Sequence, residues 1–172
     1  MTQPESTAPL AGPAGGTAAP GTGDAFVECS CGSRHWGRYG AAGLLLARHP
    51  ANPQVLLQHR ALWSDQGGTW ALPGGALHKD EDVEAGALRE AAEEAGVDPA
   101  GVEVVGRHAL VHRDWRYTTV VGWVSGPQQP MPTDRESLAI VWVDVAEVPT
   151  LPLLGAFRAA WPTLLDILHG AR

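Results

Sequence analysis

The segment GALHKDEDVEAGALREAAEEAGV, residues 75–97, decides the fold of this chain. Within it, Glu90, Glu93 and Glu94 stand at positions i, i+3 and i+4 of a predicted helix. At about 3.6 residues per turn, their side chains fall within an arc of about 100°. Like charges placed in this way repel one another and destabilise an isolated helix by roughly a few tenths of a kcal/mol per pair. A bound divalent cation is the obvious compensation for that repulsion.

The predicted helix runs from Asp80 to Ala95, and its ends are well marked. Acidic residues fill the first turn, where they complement the helix dipole, and Gly96 followed by Pro99 ends the helix. Acidic residues on a helix usually form a solvated face, and the glutamates alone favour that interpretation. The flanking residues decide against it. The acidic first turn comprises Asp80, Glu81 and Asp82, and the opposite, sheet-packing face comprises Leu88, Ala91, Ala92 and Ala95.

This segment resembles the Nudix box. It consists of Gly75, five residues, Glu81, seven residues, and then the run REAAEEAGV at 89–97. Every polar and glycine position of that family's signature is matched, and chance agreement at so many specified positions is negligible. The departure of note is Ala91, where the family more often has a larger aliphatic residue, and it does not touch the expected metal ligands.

The resemblance implies both a fold and a site. MutT-like Nudix domains have an α/β/α sandwich with a mixed β-sheet, and the mixture of strands and helices expected here argues for the same layered α/β class. By resemblance, Glu90, Glu93 and Glu94 would bind Mg²⁺ or Mn²⁺, and Gly75 would contribute its backbone carbonyl. Glu93 or Glu94 would also activate the attacking water.

Two other residues of the box would support the metal site. The resemblance implies that Arg89 orients the glutamates, which places it in the catalytic set, and that Glu81 holds the loop. Hard oxygen ligands on one face suit Mg²⁺ or Mn²⁺ rather than zinc. The chemistry needs such a cation because a diphosphate repels a nucleophilic water until its negative charge is screened.

Outside the box, the resemblance is looser and spans roughly residues 40–148. Arg60 would contact a substrate phosphate or pair with a box glutamate, and the alternative is an ordinary surface arginine. Glu136 would be an extra metal ligand or base, and the alternative is a solvated loop residue. Trp70 and Tyr117 would stack on a nucleobase, although most aromatic residues fill cores.

These features predict a metal-dependent pyrophosphohydrolase that cleaves a nucleoside diphosphate linked to another moiety. A (deoxy)nucleoside triphosphate is the favoured substrate, and ADP-ribose or a nucleotide sugar is the nearest alternative. An alternative of another class is a non-catalytic Nudix module that senses a nucleotide. Loss of box glutamates usually accompanies that role, and all of them are present here, so the sequence favours the enzyme.

Length, charge and composition limit the classes of partner that this chain can bind. The chain has 172 residues, 44% hydrophobic residues and a formal net charge of −7, which fits a single globular domain and offers no basic block for a nucleic-acid polymer. A small nucleotide remains compatible, because bound cations reverse the local sign of a carboxylate-rich site. No apolar run reaches the roughly 20 residues of a membrane span, so we expect no membrane association and a cytoplasmic protein. A homodimer is left open.

The remaining pattern divides the chain at residue 24. Residues 1–24, rich in Pro, Gly and Ala, predict a disordered tail, and residues 25–172 predict a single domain. The predicted strands Ala41–Ala47 and Val55–His59 should form a hairpin, and residues 73–75 should form a turn. From Leu154 to His169, a helical spacing containing Pro162 predicts a kinked or two-piece helix. The predicted strands are Ala41–Ala47, Val55–His59, Trp70–Leu72, Val102–Val105, Ala109–His112, Thr118–Val124 and Leu138–Val143.

The chain's two cysteines raise a second metal question. Cys29, Cys31 and His35 are close enough in sequence to begin a zinc site. A closed structural zinc site takes four ligands, and no second pair follows in the sequence. Reduced thiols without a metal are therefore the default expectation.

Overall fold

The structure, a computed structural model, describes residues 21–170. The predicted disordered tail therefore lies outside the described residues up to position 20, as does the end of the predicted domain at 171–172. Residues 21–24 contact the domain: the backbone N–H of Lys79 donates to the carbonyl of Gly21 at 2.9 Å, and that of Arg38 to the carbonyl of Gly23 at 2.7 Å. These four residues are thus part of the folded structure.

Nine strands and two α-helices make up the described chain. Seven of the strands form one sheet, with the order β5-β4-β3-β8-β7, while β6 pairs with β3 and β9 pairs with β4. The first two strands form a separate two-stranded hairpin. The elements are β1 Phe26–Glu28, β2 Arg34–Trp36, β3 Ala41–Arg48, β4 Gln54–Arg60, β5 Trp70–Ala71, β6 Gly74–Ala76, α1 Val83–Ala95, β7 Val102–His112, β8 Trp115–Val124, β9 Ser137–Asp144 and α2 Gly155–Gly170.

The sheet is mixed, as predicted. Strands β3 and β8 run parallel, whereas the other neighbouring strands of this sheet are antiparallel. The predicted hairpin of β3 and β4 is paired only at Ala47 with Val55 and Arg48 with Gln54. Beyond that point the strands separate, because β4 pairs along its whole length with β9.

The two helices cover opposite faces of the sheet, which confirms the α/β/α sandwich. Successive residues of a strand point to opposite faces, and the run at 44–46 shows it directly. Leu44 and Leu46 pack with the buried alanines of α1, and Leu45 packs with the apolar face of α2. All three leucines are almost completely buried. The α1 contacts come from Ala87, Ala91 and Ala95, and the α2 contacts from Phe157, Trp161, Leu164 and Leu168.

The start of α1 was predicted too early. The helix begins at Val83, and Asp82 is its N-cap, with a side chain that accepts hydrogen bonds from the N–H groups of Glu84 and Ala85. Asp80, predicted in the first turn, adopts a left-handed conformation with φ 61°, which precludes a helical start there. Glu81 likewise lies outside the helix, in the loop before it. The predicted end is confirmed, because Gly96 is the left-handed C-cap.

Two other predictions about elements were wrong, and a third is narrowed. Residues 102–112 form the single strand β7 instead of two, because a bulge between Val104 and Gly106 absorbs the irregular stretch. Residues 74–76 pair with β3 as β6 rather than forming a turn. The final segment, predicted as a kinked or two-piece helix, is one helix that contains Pro162, so only the two-piece form is excluded. Neither α-helix within residues 21–170 is long and apolar enough to cross a membrane.

Candidate metal and substrate site

Pairing of β6 with β3 brings the start of the box against the face of α1. Ala42 of β3 pairs with Gly75, and Glu90 of α1 lies directly over that glycine. A Cβ atom at position 75 would stand 2.6 Å from Oε2 of Glu90, closer than real Cβ contacts. Position 75 therefore has to be glycine for the Glu90 carboxylate to occupy this place.

Arg89 connects the loop to the glutamates of the helix. Its Nε and Nη2 donate to both carboxylate oxygens of Glu81, at 2.8 and 2.9 Å, and Nη2 also donates to the carbonyl of Ala76 at 3.0 Å. Its Nη1 donates to Glu90 at 2.7 Å and to Glu93 at 3.0 Å. One guanidinium thus fixes three carboxylates and a strand carbonyl, which exploits all the donor directions of its rigid fork.

The pKa values of the carboxyl groups around Arg89 are shifted from their ordinary range. Hydrogen bonds from Arg89 lower the pKa of Glu81, although partial burial opposes them. Burial raises the pKa of Glu90, and the hydrogen bond and charge of Arg89 offset this only in part. Glu90 is therefore a carboxylate that lacks enough positive charge around it in the protein alone.

Glu94 lies deeper than Glu90 and Glu93, the other two glutamates of the box on this helix. Burial raises its pKa to about 8, despite a hydrogen bond of 2.9 Å from the backbone N–H of Gly74. The carboxylate oxygens of Asp134 and Glu136 each approach Glu94 and one another within 4.8 Å. Three carboxylates so close together are the arrangement that a divalent cation stabilises.

The loop that carries these two acidic residues is attached to the end of α1. The last carbonyls of a helix have no partner within it, and here the loop supplies the donors. The N–H of Met131 donates to Ala95 at 3.1 Å, the N–H of Thr133 donates to Glu94 at 3.2 Å, and the Thr133 hydroxyl donates to the carbonyl of Glu93. This docking places the next residues of the loop over the Glu94 carboxylate.

Sequence reasoning singled out Glu136 and missed Asp134. The structure brings Glu136 close to Glu94, and its role as a metal ligand or base stays a prediction. Asp134 accepts hydrogen bonds from the N–H of Glu136 and the hydroxyl of Ser137, so it also shapes the turn before β9. Its signal in the sequence is an Asp two residues before Glu136, a spacing that does not by itself distinguish a turn residue from a ligand.

The three other predicted substrate residues stand on β4, β5 and β8, and among them Tyr117 is near enough to Glu94 and Glu90 for their charges to act on its pKa. Arg60 donates through Nε and Nη2 to the carbonyl of Asp65, at 3.2 and 3.0 Å, and so braces the loop after β4. Trp70 stacks on His59, with ring centroids 4.5 Å apart, and packs against the core on the α2 side. The Tyr117 hydroxyl lies against Gly43, and burial raises its pKa. A substrate role for these residues remains a prediction.

The available donors fit a hard divalent cation. Glu90, Glu93 and Glu94 stand at positions i, i+3 and i+4 of α1, with Glu90 and Glu93 both bonded to Arg89, and Gly75 offers a carbonyl on the adjoining strand. All of these donors are oxygens, the ligand type of Mg²⁺ and Mn²⁺. The space that the missing Cβ of Gly75 leaves for Glu90 is a further observation that agrees with a site built for carboxylates.

Comparison with known proteins settles the family. The NUDIX domain family matches residues 38–164. This chain belongs to the Nudix family. The match confirms the resemblance in the box. A crystal structure of a Nudix hydrolase from M. smegmatis, RenU, confirms the α/β/α fold, with a TM-score of 0.76. It is 42% identical in sequence, over 84% of this chain and 94% of that chain.

Two curated relatives are similar over most of this chain. A "Putative 8-oxo-dGTP diphosphatase 3" from Mycobacterium tuberculosis is 47% identical, over 84% of this Nudix chain and 70% of its own length. A "Nucleoside triphosphate pyrophosphatase/Nudix hydrolase fusion protein" from Bifidobacterium longum is 45% identical over 81% of this chain. The chain spans only 30% of the length of that fusion protein.

Proposed function

We propose that this Nudix protein is a metal-dependent pyrophosphohydrolase that cleaves a nucleoside diphosphate linked to another moiety. The observation that carries this proposal is the set of three glutamates on α1. Arg89 donates hydrogen bonds to two of them, Glu90 and Glu93. A regulatory module that only binds a nucleotide has no need to maintain this costly concentration of like charge. The names of the relatives, both of which refer to nucleotide hydrolysis, support the same class.

In this proposal, Glu90, Glu93, Glu94 and the carbonyl of Gly75 hold Mg²⁺ or Mn²⁺. When bound, the cation screens the diphosphate and polarises its phosphoryl oxygens. Arg89 keeps Glu90 and Glu93 oriented. Glu93 or Glu94 takes the proton of the attacking water.

Asp134 and Glu136 extend the site on the other side of Glu94. Both are exposed, so they face the solvent from which a charged substrate arrives. We propose that Asp134 and Glu136 bind a second divalent cation, which arrives together with the substrate phosphates. Their exposure and their closeness to Glu94 support this role, since Mg²⁺ is commonly shared between one or two carboxylates and substrate phosphate.

We propose a (deoxy)nucleoside triphosphate as the substrate, cleaved to the nucleoside monophosphate and pyrophosphate. The relative from M. tuberculosis supports this choice by its name, which specifies an oxidised deoxynucleoside triphosphate. ADP-ribose and nucleotide sugars remain the alternative substrates, and their hydrolysis would be the same type of reaction. The cytoplasmic location and the homodimer of the sequence analysis stay predictions.

A substrate panel tests the proposal. The purified chain is incubated with Mg²⁺ and either dGTP, 8-oxo-dGTP, dCTP or ADP-ribose, and the products are separated by ion-exchange chromatography. We expect one of the triphosphates to be hydrolysed fastest, with the monophosphate as product. Preferential hydrolysis of ADP-ribose would replace the substrate and keep the reaction. Tight binding of a nucleotide without turnover of any compound would contradict the enzyme.

A further inference from the structure

A second cluster of metal-binding side chains lies in the hairpin of β1 and β2, outside the box. The sulfur atoms of Cys29 and Cys31 and a ring nitrogen of His35 all lie within 4.8 Å of one another. Both cysteines are free thiols. We propose that these three residues bind one Zn²⁺, with water in the fourth position on the exposed side of Cys31. This proposal is independent of the hydrolase function.

The distances suit a tetrahedral metal. The sulfur of Cys31 lies 3.3 Å from Nε2 of His35. Two ligands with Zn–S of about 2.3 Å and Zn–N of about 2.0 Å, at a tetrahedral angle, are about 3.5 Å apart. The pair therefore stands close to the separation that zinc would impose. Thiolate and imidazole ligands favour zinc over the hard cations of the box glutamates.

Backbone groups already prepare one cysteine to be a thiolate. The N–H of Asp114 hydrogen-bonds to the sulfur of Cys29, and the N–H of Cys31 does so at 3.4 Å. Donors pointing at a sulfur stabilise its anionic form, which is the form that binds metal.

The orientation of His35 is fixed as well. Its ring stacks on Trp115 of β8, with centroids 4.4 Å apart and planes 9° from parallel. The indole N–H of Trp115 in turn donates to the carbonyls of Trp36 and Gly37, at 3.1 Å each. Such a supporting contact holds an imidazole in the orientation that a metal requires.

Zinc would add a constraint to a hairpin that is short. Its strands have three residues each, and an isolated two-stranded hairpin is at best marginally stable in water. The N–H of Ser30 donates to Asp114 at 2.7 Å, so the cysteine loop also contacts the turn between β7 and β8. Zinc would close the loop from Cys29 to His35 and hold it against that turn.

Metal loading of the full chain tests this proposal. The reduced protein is stripped with a chelator, loaded with Zn²⁺ and desalted, and its zinc content is measured by atomic emission. We expect one zinc per chain. With Co²⁺ instead, we expect visible d–d bands together with a near-ultraviolet thiolate-to-cobalt charge-transfer band, which the all-oxygen site of α1 cannot produce.

Three variants locate the ligands. Cys31→Ser and His35→Asn should lose the zinc and the charge-transfer band, whereas His169→Asn, at the end of α2, should keep both. Hydrogen exchange over residues 26–36 in the wild type should slow on adding Zn²⁺. A reduced wild type that retains no zinc and shows no charge-transfer band overturns the proposal, whether or not the variants fold. Full retention in Cys31→Ser overturns it too.

Discussion

Arg89 and Glu81 form a bidentate ion pair that joins α1 to the loop before it. Both oxygens of Glu81 accept from Arg89, at 2.8 and 2.9 Å, and both side chains are largely shielded from solvent. The same carboxylate accepts the backbone N–H of His78 at 2.8 Å. This contact fixes the loop and leaves Nη1 of Arg89 for Glu90 and Glu93. The stability of the loop and the orientation of the metal-site carboxylates therefore depend on one side chain.

Arg89→Met should lower both stability and activity. The substitution keeps the length of the side chain and leaves Glu81 and Glu90 without their cationic partner, and breaking a largely buried pair costs about 2–4 kcal/mol. Urea denaturation measures the free energy of unfolding. Arg107→Met is the matched control, since its ion pair with Glu84 is exposed and should be worth less than about 1 kcal/mol. Equal losses in the two variants would contradict the role of Arg89.

Glu81→Gln should destabilise the protein in a pH-dependent way. The pKa of Glu81 is lowered in the folded state, so its ionised form contributes stability at pH values above its unfolded pKa of about 4.3. That contribution is lost as the pH falls through the lower folded pKa. The difference in free energy of unfolding between wild type and variant should thus be largest at neutral pH and shrink below about pH 4. A difference that does not change between pH 7 and pH 3, measured in urea, would count against it.

Gly75→Ala should impair the site more than the fold. The new methyl group would displace the carboxylate of Glu90, whose Oε2 would otherwise be 2.6 Å away. We expect the apparent affinity for Mg²⁺, measured from activity against metal concentration, to fall by at least about tenfold. Gly170→Ala is the control, because a Cβ there meets open space. Unchanged Mg²⁺ dependence in Gly75→Ala would remove Glu90 from the metal site.

Glu94→Gln should separate activity from stability. The buried charge of Glu94 is unfavourable in the protein without a cation, as its pKa of about 8 shows, so a neutral amide should leave the melting temperature unchanged or higher. Turnover should fall by orders of magnitude, since a ligand or base is removed. Glu93→Gln should also lose turnover. Calorimetry and steady-state kinetics on both variants are the measurements, and normal turnover in either one would exclude that residue.

The sequence predicted the parts of this site that are local in the chain. The helix glutamates follow from spacing along α1, and Arg89 and Glu81 follow from the box. Asp134 could not be predicted in the same way, because it reaches Glu94 only through the docking of its loop on the end of α1. Long-range contacts of this kind leave no periodic signal in a single sequence.

The fold shows the same division. The apolar runs of the strands and the marked end of α1 were readable, and the α/β/α class followed from the mixture of strands and helices and from the family resemblance. The pairing of β4 with β9 joins segments about 80 residues apart, and it replaces most of the expected hairpin. The hairpin of β1 and β2 was not predicted, because its three-residue strands are too short to show an alternating pattern.

Product analysis by phosphorus NMR tests the central claim most directly. The wild type is incubated with dGTP or 8-oxo-dGTP, with Mg²⁺ or with EDTA, and Glu94→Gln is run beside it. The account predicts pyrophosphate and the nucleoside monophosphate from the wild type with Mg²⁺, and no hydrolysis in EDTA or in the variant. Release of orthophosphate with a nucleoside diphosphate, or equal hydrolysis in EDTA, would contradict it.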